Sequence, residues 1–271
     1  MVDFKNDQAA GLRRIMATPI PRIVTIISAT SISASPTHNQ PRMIANLAAS
    51  IRIQGSEVLI LHASSISSAA SYEINQQPTL FDVANQLATL PDAIRNTSQG
   101  LSVARLLHKN QINIPLDNNV SEVLNDIFDE LVRQYEIVLV DATLNNEQLL
   151  PLKTLNNSEI LIQLSRDPES IKNAYSLIKQ ICSQLGRRSF GIIVDDATES
   201  QAQVVFKNIA QVARRFMQIE LEFFGEIPRD VHLNKAAKLG RSVVDAFPMA
   251  AASNALKQLA KRLDNKHGLA K

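Results

Sequence analysis

Three ionisable side chains stand at the ends of apolar runs, where a strand-built protein places its chemistry. His62 follows Val58-Leu-Ile-Leu61, Asp141 ends Val138-Leu-Val, and Asp195 ends Ile192-Ile-Val. The His62 imidazole there could be a metal ligand or a base, and the Asp141 carboxylate could cap or turn the chain that follows. The segment after the first apolar run bears on a different chemistry, the binding of phosphate. A phosphate cradle needs glycines, so that successive N–H groups converge on the anion, with a lysine and a Ser/Thr for magnesium. Ala29-Thr-Ser-Ile-Ser-Ala-Ser-Pro-Thr-His-Asn-Gln-Pro41 contains neither glycine nor lysine. Its prolines, Pro36 and Pro41, each remove a donor, and Arg42 is the one cation beside it. For His62, no other His, Cys or acid lies at metal-ligand spacing, so a structural histidine is the plainer reading. Cys182, in Ile178-Lys-Gln-Ile-Cys-Ser-Gln-Leu185, reads as a helix residue rather than a nucleophile.

These positions need a scaffold, and the pattern around them supplies one. Apolar, β-branched runs predict strands at Ile23–Ser28, Glu57–Leu61, Glu136–Asp141, Glu159–Leu164, Phe190–Val194 and Leu221–Phe224. Several are continuously apolar, as strands covered on both faces are. Helical spacing fills Pro41–Gln54, Val120–Gln134, Pro168–Leu185 and Gln201–Phe216. Between Asn75 and Leu116 the pattern is weaker, with Phe81–Leu90 reading as helix and Leu101–Leu107 as a strand. Such alternation predicts an α/β fold, a doubly wound and mainly parallel sheet flanked by helices. One domain over residues 21–264 is expected, with an arm of residues 1–20 closed by Pro19-Ile-Pro21 and a short tail at 265–271. In 271 residues, Lys and Arg number 28 against 26 for Asp and Glu, a net charge of +2 that argues against a nucleic-acid footprint. The single cysteine fits a reducing compartment, and no apolar run approaches membrane length, so the expected location is cytoplasmic.

The strand, the loop, then Ile44-Ala-Asn-Leu-Ala-Ala-Ser50 and Gly55-Ser-Glu-Val-Leu-Ile-Leu61 together resemble the opening of the MinD/ParA family of deviant Walker ATPases. The resemblance implies a P-loop NTPase fold, and it locates the departures. Gln40 and Pro41 occupy the positions of the P-loop lysine and its Ser/Thr. The loop is about five residues longer than the family's. His62, Ser64 and Ser71 stand where the family carries acids for magnesium and the attacking water. Asp141 keeps a family acid without the glycine-containing turn beyond it, and reads as a residue retained to cap or turn the chain. Asp195 replaces an asparagine that reads the adenine edge. With the parts for positioning and charge neutralisation missing, the expectation is a pseudo-ATPase with no cofactor, no metal and no catalytic residue in its own pocket.

The arm carries a second resemblance. Asp7-Gln-Ala-Ala-Gly-Leu-Arg13 predicts a short helix capped by Asp7, with Ala9 and Leu12 on one stripe. The alternative from the residues alone is a helix packed on its own domain. The motif is similar to that of the FlhG branch of the family, regulators of flagellar number and placement. Phe206-Lys-Asn-Ile-Ala, Glu220–Asp230, Leu239–Pro248 and Leu256–Leu263 extend the similarity over nearly the whole chain. In that branch the arm docks on an FlhF-type GTPase and stimulates its hydrolysis. The resemblance therefore assigns partner contacts to Asp7, Gln8, Ala9, Leu12 and Arg13, with Gln8 orienting the attacking water and Leu12 as anchor. Flagellar basal-body or switch proteins are further implied partners. Leu256, Leu259, Ala260 and Leu263 form a basic-edged stripe that reads as a last core helix rather than a stable membrane anchor. A monomer is expected. The alternatives are an active ATPase with an atypical loop, or a ParA-like DNA-binding organiser.

Overall fold

A computed structural model of the chain describes residues 21–30, 40–64, 76–108, 111 and 117–268, with side chains omitted at 40–42 and 265–268. The arm residues Asp7, Gln8, Ala9, Leu12 and Arg13, the loop over 31–39 and Ser71 lie outside the described residues, as do the side chains of Gln40 and Pro41.

Eight strands form one sheet: β1 Arg22–Ser28, β2 Val58–Ala63, β3 Ile94–Asn96, β4 Ser102–Arg105, β5 Ile137–Ala142, β6 Glu159–Ser165, β7 Phe190–Asp195 and β8 Leu221–Ile227. Their order is β3-β4-β2-β5-β1-β6-β7-β8, parallel throughout except for the edge strand β3. β2, β5 and β7 are buried at every position, which is why their sequences run apolar without alternating. Eight α-helices are described: α1 Gln40–Ile53, α2 Leu80–Ala84, α3 Asn118–Val132, α4 Pro168–Leu185, α5 Glu199–Met217, α6 Val231–Lys238, α7 Val243–Ala246 and α8 Ala251–Gly268. Leu124 and Phe128 of α3, Ile178 of α4 and Ala202 of α5 pack on one face of the sheet. Ile44 and Leu47 of α1, Val243 of α7 and Leu256 and Leu259 of α8 cover the other. The doubly wound α/β fold expected from the alternation is the fold observed.

Local chemistry sets the helix ends. Asp167 caps α4 through the amide of Ser170, with Pro168 opening the helix. Thr198 and Gln201 form a reciprocal capping box that starts α5 at Glu199, ahead of the predicted Gln201. The helix expected over Phe81–Leu90 stops at Ala84, because the chain turns at Asn85 and enters a left-handed conformation at Gln86, φ 60°. The strand expected within Leu101–Leu107 forms, and it pairs with β3, which no apolar alternation announced.

The last helix closes the core. Its stripe of Ala252, Leu256, Leu259, Ala260 and Leu263 is buried, so the apolar face is spent inside the protein. The helix continues to Gly268, beyond the start of the tail expected at residue 265. Leu259 sits against Gly225, where a Cβ would come within 2.6 Å of its Cδ2. Gly225 lies at φ 154° in a bulge that shifts the β7–β8 register, a place where the absent side chain is needed twice over. The carboxyl-terminal turns of α8 are tied down by Ser56 Oγ donating to Asp264 (3.3 Å) and by Arg22, which donates to the carbonyls of Leu263 and Arg262 and pairs with Glu159 (2.5 Å). No described helix is long and apolar enough to cross a membrane.

Candidate functional site

A polar row runs across the carboxyl ends of six adjacent strands. In register, Arg105 of β4 lies beside His62 of β2, and His62 beside Asp141 of β5. Ser28 of β1 lies beside Gln163 of β6, and Asp195 ends β7 two residues after the neighbour of Gln163. Ladder partners share a face. The residues two before them, including Val103, Ile60, Leu139, Ile26, Leu161 and Ile193, all pack on the α1 and α8 side. The row therefore faces that side, at the strand ends where open α/β sheets bind ligands.

The side chains of this row are largely turned on one another. His62 Nδ1 lies 2.9 Å from Asp141 Oδ2, with each side chain only 1% exposed. Ser28 Oγ lies 2.6 Å from Thr30 Oγ1. Gln163 Nε2 donates to Asp195 Oδ2. Arg105 Nη2 donates to the carbonyl of Gln77 at 2.6 Å. Burial holds its guanidinium below the usual arginine range, partly offset by the charge of Asp82. Burial pushes the Asp195 carboxyl up to about 7, against the lowering hydrogen bond from Gln163 and with the neighbouring Asp196 charge adding to the rise. Among the described residues, three oxygens in the row have no hydrogen-bond partner: Asp141 Oδ1, Gln163 Oε1 and Asp195 Oδ1. Among the described residues no group of three His, Cys, Asp or Glu side chains could hold a metal ion.

The structure thus brings together His62, Asp141 and Asp195 along one edge, with Ser64 buried just beyond β2. Asp141 does not cap or turn the chain after its strand. It lies within β5, and its carboxylate is committed to His62. Arg105 and Gln163 escaped the sequence reading, although each is a polar residue near the carboxyl end of a strand with an apolar centre. Asn46, in the family-like helix, was read only as part of a motif. Its side-chain oxygen accepts the Val243 amide at 2.6 Å and fixes the start of α7.

A second region has the opposite character. The outward side of α5 exposes Val204 (60%), Val212 (39%) and Phe216 (65%), spaced four or eight residues apart and so on one ridge. Lys207, Arg214 and Arg215 flank them, all exposed. Arg214 is matched by Glu220 at 2.6 Å, while the guanidinium of Arg215 lies over the Phe216 ring, 5.3 Å from its centroid.

This chain has similar proteins both in sequence and in structure. It is 26% identical over 223 residues to the antiactivator FleN of Pseudomonas aeruginosa, covering 81% of this chain and 80% of FleN. It is also 26% identical over 227 residues to an uncharacterised ATP-binding protein of Methanocaldococcus jannaschii, with the same coverage. The septum site-determining protein MinD of Pyrococcus horikoshii, solved with Mg-ADP, superposes with a TM-score of 0.68 at 17% identity, over 93% of this chain and 99% of that one. MinD of Aquifex aeolicus gives 0.66 at 17% identity, over 90% and 97%. No family model matches the chain. The likeness to FleN bears out the FlhG-type resemblance, and the solved structures establish that the fold is that of the MinD/ParA ATPases.

Proposed function

We propose that the protein regulates flagellar assembly or number through protein contacts, as an FlhG-type scaffold whose own nucleotide site no longer binds ATP. The observation that carries this reading is the buried His62–Asp141 pair. Magnesium is a hard cation that takes oxygen ligands in near-octahedral geometry. Here Asp141 is committed to an imidazole, itself standing where the resemblance places an acid. The chemistry at this edge does not fit Mg-ATP, and the Ala29–Pro41 segment offers neither glycine nor lysine to cradle phosphates.

The similarity to an antiactivator supports a protein partner. In this reading the arm engages an FlhF-type GTPase: Leu12 anchors, Arg13 and Ala9 complete the contact, Asp7 caps the helix, and Gln8 helps orient the water that attacks GTP. The exposed ridge of α5 supplies a further contact for a flagellar basal-body or switch protein, since an exposed aromatic beside cations is the composition of an interface anchor. The protein acts as a monomer whose mass does not respond to nucleotide.

Calorimetry with ATP and magnesium tests the pocket. Binding weaker than about half a millimolar is expected, and a micromolar dissociation constant overturns the pseudo-ATPase reading. Single-turnover GTP hydrolysis by the cognate GTPase, with a peptide of residues 1–20 added, tests the arm. Acceleration is expected. If neither peptide nor full protein accelerates hydrolysis, the protein is a binding scaffold alone.

A further inference from the structure

We propose that the carboxyl edge of the sheet still binds one ligand, a proton, held between Asp195 and Gln163 as a latch that closes β6 onto β7. The inference goes beyond the flagellar reading and stands whether or not nucleotide binds. The two side chains project from neighbouring strands onto one face, in contact through Gln163 Nε2 and Asp195 Oδ2. Both are buried, and each leaves its other oxygen without a partner among the described residues. Two unsatisfied acceptors beside one donor describe a site short of a hydrogen. An ionised Asp195 would keep a buried negative charge with one neutral hydrogen bond to offset it, a costly state. A protonated Asp195 is neutral, and an O–H on its Oδ1 supplies the missing donor for Gln163 Oε1 while Nε2 goes on donating to Oδ2.

Among the described residues no cation is paired with Asp195. Asp196 follows directly and raises the Asp195 carboxyl, and no cation acts on it appreciably. On the neighbouring strand β8, Glu226 is itself raised by burial and by the charge of Glu199 in the first turn of α5, against a lowering by Arg262. Arg166, in the loop after β6, donates its Nε–H to the Asp196 carbonyl. Arg229 and the Asp230–His232 pair follow β8. Across β1 in the row lie Asp141, His62 and Arg105, already committed to partners.

Opening the latch has a local target. The backbone carbonyl of Gln163 accepts the Ala29 amide at 2.8 Å, and Asn173 Nδ2 donates to the Ala29 carbonyl at 3.4 Å. The first residue after β1 is thus fastened to the strand that carries the latch. Because burial raises the folded-state pKa above the ordinary 3.8 to about 7, the stabilising contribution of the bound proton is complete below the ordinary value. It is lost as the pH rises through about 7. When the latch opens, the proton passes to solvent and no other co-reactant is needed.

The experiment uses the full chain, with carbon-13 in its aspartate carboxyls, titrated by NMR. The Asp195 signal should move with a midpoint near neutrality, and Asp196→Asn should lower that midpoint. A midpoint below pH 5 overturns the proposal. In parallel, amide exchange at Ala29 and along β7, corrected for intrinsic base catalysis, should rise about tenfold between pH 6 and pH 8. Asp195→Asn should abolish that rise, and an unchanged rise in the variant also overturns the latch. If Asp195→Asn does not fold, the carboxyl titration of the wild-type protein decides alone.

Discussion

The carboxyl edge of the sheet and the outer ridge of α5 treat their exceptional residues in opposite ways. At the edge, charged and polar groups are buried and directed to one another, His62 to Asp141 and Gln163 to Asp195. On α5, apolar groups face solvent, with Phe216 65% exposed. Natural proteins keep buried charges only when they are paired, and a ridge of exposed apolar residues beside cations marks a place for a partner. The contrast teaches that this chain turns polar groups inward where the sheet ends and apolar groups outward along one helix. The edge pairs its polar groups two by two and leaves three oxygens unmatched among the described residues, whereas the ridge turns its apolar groups to solvent.

Several substitutions sharpen that contrast or break it. The largest effect is expected from His62→Ala, which strands the Asp141 carboxylate in the interior. A loss of about 3–5 kcal/mol in urea unfolding is predicted. Asp141→Asn, which removes the charge, should cost less. If both cost nothing, the edge is not a paired site and the contrast fails. Next comes Asp195→Asn. The folded carboxyl is raised to about 7, so the wild type loses stability as the pH climbs from about 4 to about 7. The sign makes the variant the more stable protein above that window, by at most on the order of 4 kcal/mol, measured as unfolding free energy at pH 5 and pH 8.

On the surface side, Phe216→Ala should leave unfolding within about 0.5 kcal/mol of wild type. It should weaken capture of a flagellar partner by about 2 kcal/mol or more, read by calorimetry with the purified complex. Equal losses of stability and of binding would make Phe216 a core residue instead. In the arm, Leu12→Ala should reduce docking on the GTPase by roughly 1–3 kcal/mol. Gln8→Ala should spare binding and lower the stimulated rate.

Much of this organisation was legible in the sequence because it is written in local patterns. Pro168–Leu185 carries its own cap and apolar stripe, and the predicted helix matches the observed one residue for residue. β3 was not legible, since three residues at an edge carry no periodicity. The edge row was read only in pieces. His62 and Asp141 are 79 residues apart, and their pairing follows from β2 lying beside β5, a matter of strand order rather than of local propensity. That is why Asp141 reads as a turn residue from sequence and becomes a hydrogen-bond partner of His62 in the fold. Arg105 and Gln163 left a signal that could have been used. A large polar residue near the carboxyl end of a parallel strand with an apolar centre is already a candidate for the ligand edge.

Arg22 gives the arm a mechanical setting. It begins the central strand β1, which is bonded on one side to β5 and on the other to β6. Its guanidinium also grips Glu159 and the end of α8. A partner that tugs on the arm along the strand axis would load both ladders in shear, straining many hydrogen bonds at once instead of peeling them singly. The force would reach the whole sheet before any one element yielded. A strand rooted at the middle of a sheet can bear load without unravelling the domain that carries it.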